Sequence, residues 1–324
     1  MFLEKEGKLI YSYDGETVCI EAWGKDALRV RATKNRSFTG RDWALEAKDA
    51  HAGEVEIFED PSAKGGAFAN MYEGTDTSYG KITNGKLHAV IDSGSVITFY
   101  HEDGRVLLKE HFRRLRDEES MPLNIMGREY SNGVGDNFRI VARFVARKGE
   151  KIFGMGQYQQ HELDLKGCML ELAQRNSQVS VPFYLSSIGY GFLWNNPGVG
   201  QVMFANNGTE WVTESGKEID YLVIAGDTPA EIEENYAKVT GTVPMMPEYG
   251  MGFWQCKLRY WNQEQLLSVA RKYKELGVPL DVIVVDFFHW TKQGEFKFDP
   301  KYWPDVPGMC RELKEMGIQV VVSV

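Results

Sequence analysis

The hydrophobic period of the chain changes at "TVPMMPEYG", and that change limits what each side can fold into. Before it, short apolar runs such as "TVCIEAW", "ALRVRAT", "LHAVID", "FRIVARFVA", "VSVPFYLSS" and "DYLVIAG" are broken by Gly, Asn and Asp. Leu28-Arg29-Val30-Arg31-Ala32 and Ile97-Thr98-Phe99-Tyr100 alternate with the period of two expected of strands buried on one face. Many such runs at turn-punctuated spacing predict an antiparallel β-sandwich over residues 1–243. Asp103-Gly104 between two runs signals a hairpin. "GDTPAEIEENYAKVTG" predicts a closing helix, with Thr228 as N-cap, Pro229 at the first helical position and Gly241 past the end. Pro244 and Pro247 suit a stiff boundary.

Residues 244–324 follow a different rule. "YGMGFWQC" predicts a strand, and Asn262 with Gln265 predicts a capping-box start. Leu266, Val269, Ala270, Tyr273 and Leu276 supply one helical face, which Gly277 stops. "VPLDVIVVDFFHW" contains the unbroken run Val282, Ile283, Val284 and Val285, which demands burial on both faces. A second helix runs from a cap near Asp305 through Leu313 and Met316 to Gly317, and "IQVVVSV" is a third strand. Strand and helix alternating in this way predict a parallel α/β sheet with right-handed crossovers. A closed eight-stranded barrel takes about 250 residues, and three strands alone would leave an apolar edge open. The expectation is the beginning of a (β/α)8 barrel, with Val324 not the natural end of that domain.

At 324 residues, 43% hydrophobic and 26% charged, the chain has the composition of a two-domain globular protein. No window approaches the roughly 18 apolar residues of a membrane helix, so no membrane partner is expected. A formal net charge of -9 argues against nucleic acid, which calls for clustered Lys and Arg. The one basic cluster, Lys109, Arg113, Arg114 and Arg116, is interleaved with Glu110, Asp117, Glu118 and Glu119 and reads as a solvated face or loop. Cys19, Cys168, Cys256 and Cys310 show neither CxxC nor His at ligand spacing, so no metal site or disulfide framework is signalled. With no apolar h-region at the start, the expected compartment is the cytoplasm.

In parallel α/β folds the working residues stand at the carboxyl ends of strands. That rule selects Gln255, Lys257, Arg259, Tyr260 and Trp261 after the first strand. It selects Asp286, Phe287, Phe288, His289 and Trp290 after the second. Carboxylates beside aromatic platforms suit a sugar, whose hydroxyls take hydrogen bonds and whose C–H faces pack on rings. On the residues alone, an equal reading has Asp286 capping a turn and the rings filling the top of a barrel.

Gly252-Phe253-Trp254-Gln255-Cys256, Val284-Val285-Asp286, Phe298-Asp299-Pro300, Trp303-Pro304-Asp305 and the closing "LKEMGIQVVVSV" together resemble the opening of the catalytic barrel of glycoside hydrolase family 31. This is the α-glucosidase and α-xylosidase family. "KIFGMGQ" and "VPFYLSSIGYGFLWNNP" resemble its N-terminal, galactose-mutarotase-like β-sandwich. The resemblance implies retaining hydrolysis of an α-linked xylose or glucose at a non-reducing end, through two carboxylates about 5–5.5 Å apart. The family carries both as aspartates after the fourth and sixth barrel strands, so no catalytic residue is assigned here. No cofactor is implied, and the implied partner is an oligosaccharide or glycoside.

By position, Asp286 matches the family aspartate that binds sugar hydroxyls in the −1 subsite, and Phe287, Phe288 and Trp290 match its walls. His289 reads either as a substrate contact or as a structural partner. Where the family's sandwich loop often carries Arg-Asp, this chain has Arg175 and Asn176; the Asn is either a hydroxyl ligand or a turn former. Asp299 and Asp305 read as turn and cap, and Glu295 as solvated. "FFHWTKQGEFKFDP" is closest to α-xylosidases, then to related α-glucosidases and transglucosidases. Two rival readings are a non-catalytic carbohydrate-binding sandwich and aldose mutarotation by His161 and Glu162 as a proton-transfer pair.

Overall fold

The computed structural model describes residues 1–59, 78–92, 94–111, 113–115 and 123–324, so Arg116, Asp117, Glu118 and Glu119 lie outside the described residues. The chain forms two compact units, Met1–Thr242 and Val243–Val324.

The first unit is antiparallel throughout. Its central sheet runs in the order Phe2–Lys5, Lys8–Tyr13, Glu16–Trp23, Ala27–Thr33, Ile219–Ala225, Tyr190–Trp194, Val179–Ser186 and Ile152–Gln157. A second sheet holds Glu54–Glu59 through Val106–Lys109, and a third is ordered Arg128–Asn132, Phe138–Phe144, Gly208–Gly216, Gly200–Ala205 and Met169–Leu172. Leu9, Ile20, Val30, Ile82, Phe99, Phe144, Phe192, Trp211 and Tyr221 meet in one core drawn from all three sheets, a β-sandwich. The hairpin at Asp103-Gly104 joins Ile97–His101 to Val106–Lys109. The closing helix is Pro229–Thr240; Thr228 Oγ1 accepts the Glu231 N–H at 3.2 Å. Its Ile232 and Val239 cover the outer face of the central sheet beside Trp23, Leu193 and Leu222, and Tyr236 stacks on Phe183 at 3.8 Å.

Two charges depart from the expected pattern. Alternation points Arg29 to solvent, yet the side chain is fully buried. It donates from Nε and Nη2 to Asp220 at 3.0 and 2.6 Å, from Nη1 to Asp42 at 2.7 Å, and from Nη2 to the Arg41 carbonyl at 2.9 Å. The central sheet is covered on both faces, so a charge inside it persists only when paired. Glu110, expected in a solvated cluster, is also buried: it accepts from Arg128, which in turn donates to Glu16 at 2.9 and 3.0 Å and to Ser95 Oγ at 2.6 Å. Burial pushes the Glu110 carboxyl up while the Arg128 guanidinium pulls it down.

The second unit is a three-stranded parallel sheet, Trp254–Gln255, Val282–Val285 and Gln319–Val322, with helices Gln263–Glu275 and Val306–Glu315 between the strands. Asn262 Oδ1 accepts the Gln265 N–H at 2.8 Å, the expected cap, while Gln265 Oε1 accepts the Trp261 N–H at 2.7 Å, one residue before the N–H that a capping box uses. Asp305 caps the other helix on the Gly308 N–H at 2.9 Å. Leu266, Ala270, Ile283, Val285, Trp303, Met309, Leu313 and Ile318 form its core. This is the strand–helix order of a partial barrel.

Within it, "YGMGFWQC" is not one strand. Glu248–Met251 is a 3-10 turn and only Trp254–Gln255 pairs. A Cβ on Gly252 would stand 2.2 Å from the Asp281 carboxylate, which takes the Phe253 N–H at 2.9 Å. The side chain of Asp281 thereby occupies the donor a longer ladder would use. Leu276 is likewise corrected: it is the C-cap of its helix and is exposed, outside the face that buries Leu266, Leu267 and Ala270.

Removing Asp220 leaves Arg29 buried without its main counter-charge, so Asp220→Ala should destabilise the sandwich unit by about 3–5 kcal/mol. Urea unfolding followed by tryptophan fluorescence checks this, and a loss below about 1 kcal/mol would contradict the pairing described.

Candidate functional site at the strand ends

Asp286 is the first residue past Val282–Val285, the middle strand of the parallel sheet. Its carboxylate is half-buried and oriented from two sides. Oδ1 accepts the Phe287 N–H at 2.9 Å, and Oδ2 accepts from Cys256 Sγ at 3.7 Å. Cys256 reaches it because parallel pairing of Gln255 with Ile283 brings the ends of both strands side by side. Burial, and after it the negative charge of Asp286, push the Cys256 thiol up, which keeps it a donor.

The residues after Asp286 turn sharply. Phe288 has φ 74, a left-handed conformation that a bulky aromatic residue adopts only when its surroundings impose it. The turn leaves Phe288 54% exposed beside Phe287 at 4.6 Å between centroids, with Trp290 6.4 Å from Phe287. Arg259 spans the neighbouring loop to this one, its guanidinium 4.0 Å over Trp261 and 4.9 Å over Phe288. Trp261 is itself 60% exposed. The result is a carboxylate with two fixed donors, flanked by open aromatic faces.

His289 takes a different place. It is 3% exposed, tilted on Phe298 at 4.7 Å and edge-on to Trp290 at 4.8 Å. Its Nδ1 lies 3.3 Å from the Asp286 carbonyl, and its own carbonyl accepts the Asp299 N–H at 2.8 Å. The ring packs inside the loop that carries Asp286. Gln255 is held by Tyr273 Oη at 2.8 Å and Tyr260 Oη at 3.3 Å. Asp299 accepts the Lys301 N–H at 2.9 Å, closing a turn. Glu295, expected to be solvated, is half-buried and closes the 291–295 turn on the Thr291 hydroxyl and the Lys292 N–H.

The remaining candidates belong to the first unit. Arg175 and Asn176 form the exposed tip of a turn in which the Gln178 N–H bonds the Arg175 carbonyl at 3.1 Å and Ser177 has φ 67. Arg175 is held in a bidentate pair by Glu171 at 3.0 and 2.6 Å. His161 and Glu162 are both exposed. Among the described residues no three His, Cys, Asp or Glu side chains gather as a metal site, and no helix is long and apolar enough to cross a membrane.

The sequence reading missed Cys256 as the partner of Asp286. The available signal is positional: residues that follow adjacent parallel strands stand together. Position along the chain likewise names Arg259 and Trp261 without pairing them with Phe288.

Residues 243–324 match the family model of the glycosyl hydrolases family 31 TIM-barrel domain. Residues 17–202 match that of the glycosyl hydrolase 31 N-terminal galactose mutarotase-like domain. The chain is 42% identical over 333 residues to an uncharacterized family 31 glucosidase, ORF2, of Pseudescherichia vulneris, covering 99% of this chain and 60% of that protein. An alpha-xylosidase of Saccharolobus solfataricus is 36% identical over 198 residues, 58% of this chain and 27% of its own. Among solved structures, a GH31 alpha-xylosidase from a soil metagenome, complexed with xylose, superposes with a TM-score of 0.85 at 45% identity, over 100% of this chain and 47% of that one. The chain thus spans 60% or less of the length of these relatives.

The charge of Asp286 beside Cys256 makes a chemical prediction. Asp286→Asn should quicken the alkylation of Cys256 at mildly alkaline pH, because the thiolate then forms without a neighbouring anion. Peptide-resolved iodoacetamide labelling reads the rate, and an unchanged or slower rate would contradict the contact.

Proposed function

Because the chain belongs to glycosyl hydrolase family 31, we propose that it serves cleavage of an α-linked xylose or glucose from the non-reducing end of a glycoside, xylose being preferred. The observation that carries this reading is the doubly oriented Asp286 carboxylate among open aromatic rings. Phe287 N–H and Cys256 fix the plane of the carboxylate, and its remaining lone pairs accept sugar hydroxyls. A hydrogen bond to an ionised group contributes about 1.5–3 kcal/mol. A sugar without the matching hydroxyl leaves that acceptor unpaired and is rejected.

Phe287, Phe288 and Trp290 are the walls in this reading, set against the C–H faces of the ring. Large rings around the carboxylate suit a pentose, which has no hydroxymethyl arm to accommodate. His289 acts on the loop and not on the sugar: packed on Phe298 and tied to Asp299, it holds the backbone from which Asp286 projects. Attack on the anomeric carbon and protonation of the leaving oxygen fall to two further carboxylates, with retention of configuration. Asp286 positions the sugar between them. The relatives named alpha-xylosidase and the neighbour solved with xylose support the substrate class. Four free cysteines support a reducing, cytoplasmic setting.

In the whole protein, Asp286→Ala should lower kcat/KM for 4-nitrophenyl α-xyloside by about 10²–10⁴-fold, the loss of one to two charge-assisted hydrogen bonds in the transition state. Turnover equal to wild type would remove the assigned role. Binding of glycans without any hydrolysis by the wild-type protein would instead favour the carbohydrate-binding module.

A further inference from the structure

We propose that the sandwich unit carries a second sugar-binding site of its own, with Trp43 as the platform and the adjoining polar cavity as the hydroxyl-binding wall. The indole is 46% exposed although its residue has φ 54, the left-handed region disfavoured for a large side chain. Such a conformation persists only where neighbours over-determine it, and here they do. Arg29 donates to the Asp42 carboxylate at 2.7 Å and to the Arg41 carbonyl at 2.9 Å. Asn195 donates to the Asp42 carbonyl at 3.0 Å and accepts the Ala44 N–H at 3.2 Å. Residues on both sides of Trp43 are therefore pinned from the buried sheet, and the indole is turned out with the Arg41 guanidinium 5.5 Å from its ring.

Two cavities share Trp43, Asn196, Pro197 and Gly198 as lining. Their volumes are about 560 and 360 Å³, within the range of small-molecule pockets. The larger is mainly apolar, with Leu172, Val181 and Pro182 in its wall. The smaller is rich in side-chain donors and acceptors: Thr39, Arg41, Asn137, Ser215, Lys217 and Glu218. Both signs of charge are present, so no single anion or cation is selected. Mixed amide, hydroxyl and charged groups beside an exposed indole match a neutral oligosaccharide, whose hydroxyls meet the first and whose C–H face meets the second. The wall is also built: buried Glu218 takes the Thr39 N–H and hydroxyl, each at 2.8 Å.

The test titrates the whole protein with isomaltotriose and with methyl α-D-xyloside, under conditions where neither probe is hydrolysed, read by saturation-transfer difference NMR and calorimetry. Wild type is compared with Trp43→Ala, Trp43→Phe, Asp286→Ala and Ser215→Trp, the last of which fills the smaller cavity without touching the supports of Trp43. The expected result is saturable binding of at least one probe, weakened about tenfold or more by Trp43→Ala and by Ser215→Trp, and kept within about threefold by Trp43→Phe and Asp286→Ala. If Trp43→Ala fails to fold, Ser215→Trp and Trp43→Phe decide. Absence of saturable binding of both probes, or wild-type affinity in Ser215→Trp, overturns the proposal. Loss of binding confined to Asp286→Ala also overturns it, and leaves the strand-end site standing.

Discussion

A guanidinium with no access to water must be paired on every side, and Arg29 shows how much of the sandwich follows from that requirement. Its bonds to Asp220 tie Ala27–Thr33 to Ile219–Ala225 in the middle of the central sheet. Asp220 also holds Asn195 at 2.9 Å, and its backbone carbonyl takes the Asn196 amide at 2.8 Å. The remaining donors of Arg29 leave the sheet and fasten residues 41 and 42. A pair of this kind adds less net stability than an apolar core of equal volume, but breaking it exposes an unpaired buried charge. Its structural result is a fixed irregular loop, which propensity alone would not hold.

The same logic operates at the end of Val282–Val285. Four apolar residues buried on both faces deliver a carboxylate to the rim of the sheet, where it is half desolvated. One oxygen is satisfied by the next residue's own N–H, a local solution available to any Asp at a turn. The other is met by Cys256, a weak donor from a different strand, so its capacity for a stronger partner is retained. Asp305, by contrast, turns its carboxylate to a backbone donor of its own helix, the Gly308 N–H. The contrast between the two aspartates lies in their neighbours and not in their residue type.

Much of the architecture was legible because the signals are local. Thr228, Asn262 and Asp305 cap the helices assigned to them, and the change from alternating to unbroken apolar runs separates antiparallel from parallel strands. Gly252–Cys256, Val284–Asp286, Phe298–Pro300, Trp303–Asp305 and the closing "LKEMGIQVVVSV" resemble the family whose models match residues 17–202 and 243–324. What was not legible depends on distant partners. The burial of Arg29 rests on an aspartate 191 positions away, and that of Glu110 on Arg128. The first barrel strand is shortened by Asp281, 28 positions along, which no reading of "YGMGFWQC" contains. His289 reads as a ligand or a core residue until Phe298 and Asp299 fold back on it.

Trp43 and Phe288 show how strain and exposure come together in this chain. Each is a large aromatic residue at positive φ, each is open to solvent, and each lies beside an arginine, Arg41 at 5.5 Å and Arg259 at 4.9 Å from the ring. Neither exposure nor a left-handed backbone favours folding, since both are costs relative to a buried ring in an extended conformation. The residues that impose the conformation are different in the two cases: a buried ion pair and an asparagine behind Trp43, a packed histidine and an oriented carboxylate around Phe288. An exposed ring held rigid loses little further freedom when a flat, partly apolar ligand packs on it. The local cost in folding is therefore recovered on binding, which is the physical argument for seeking ligands at both positions.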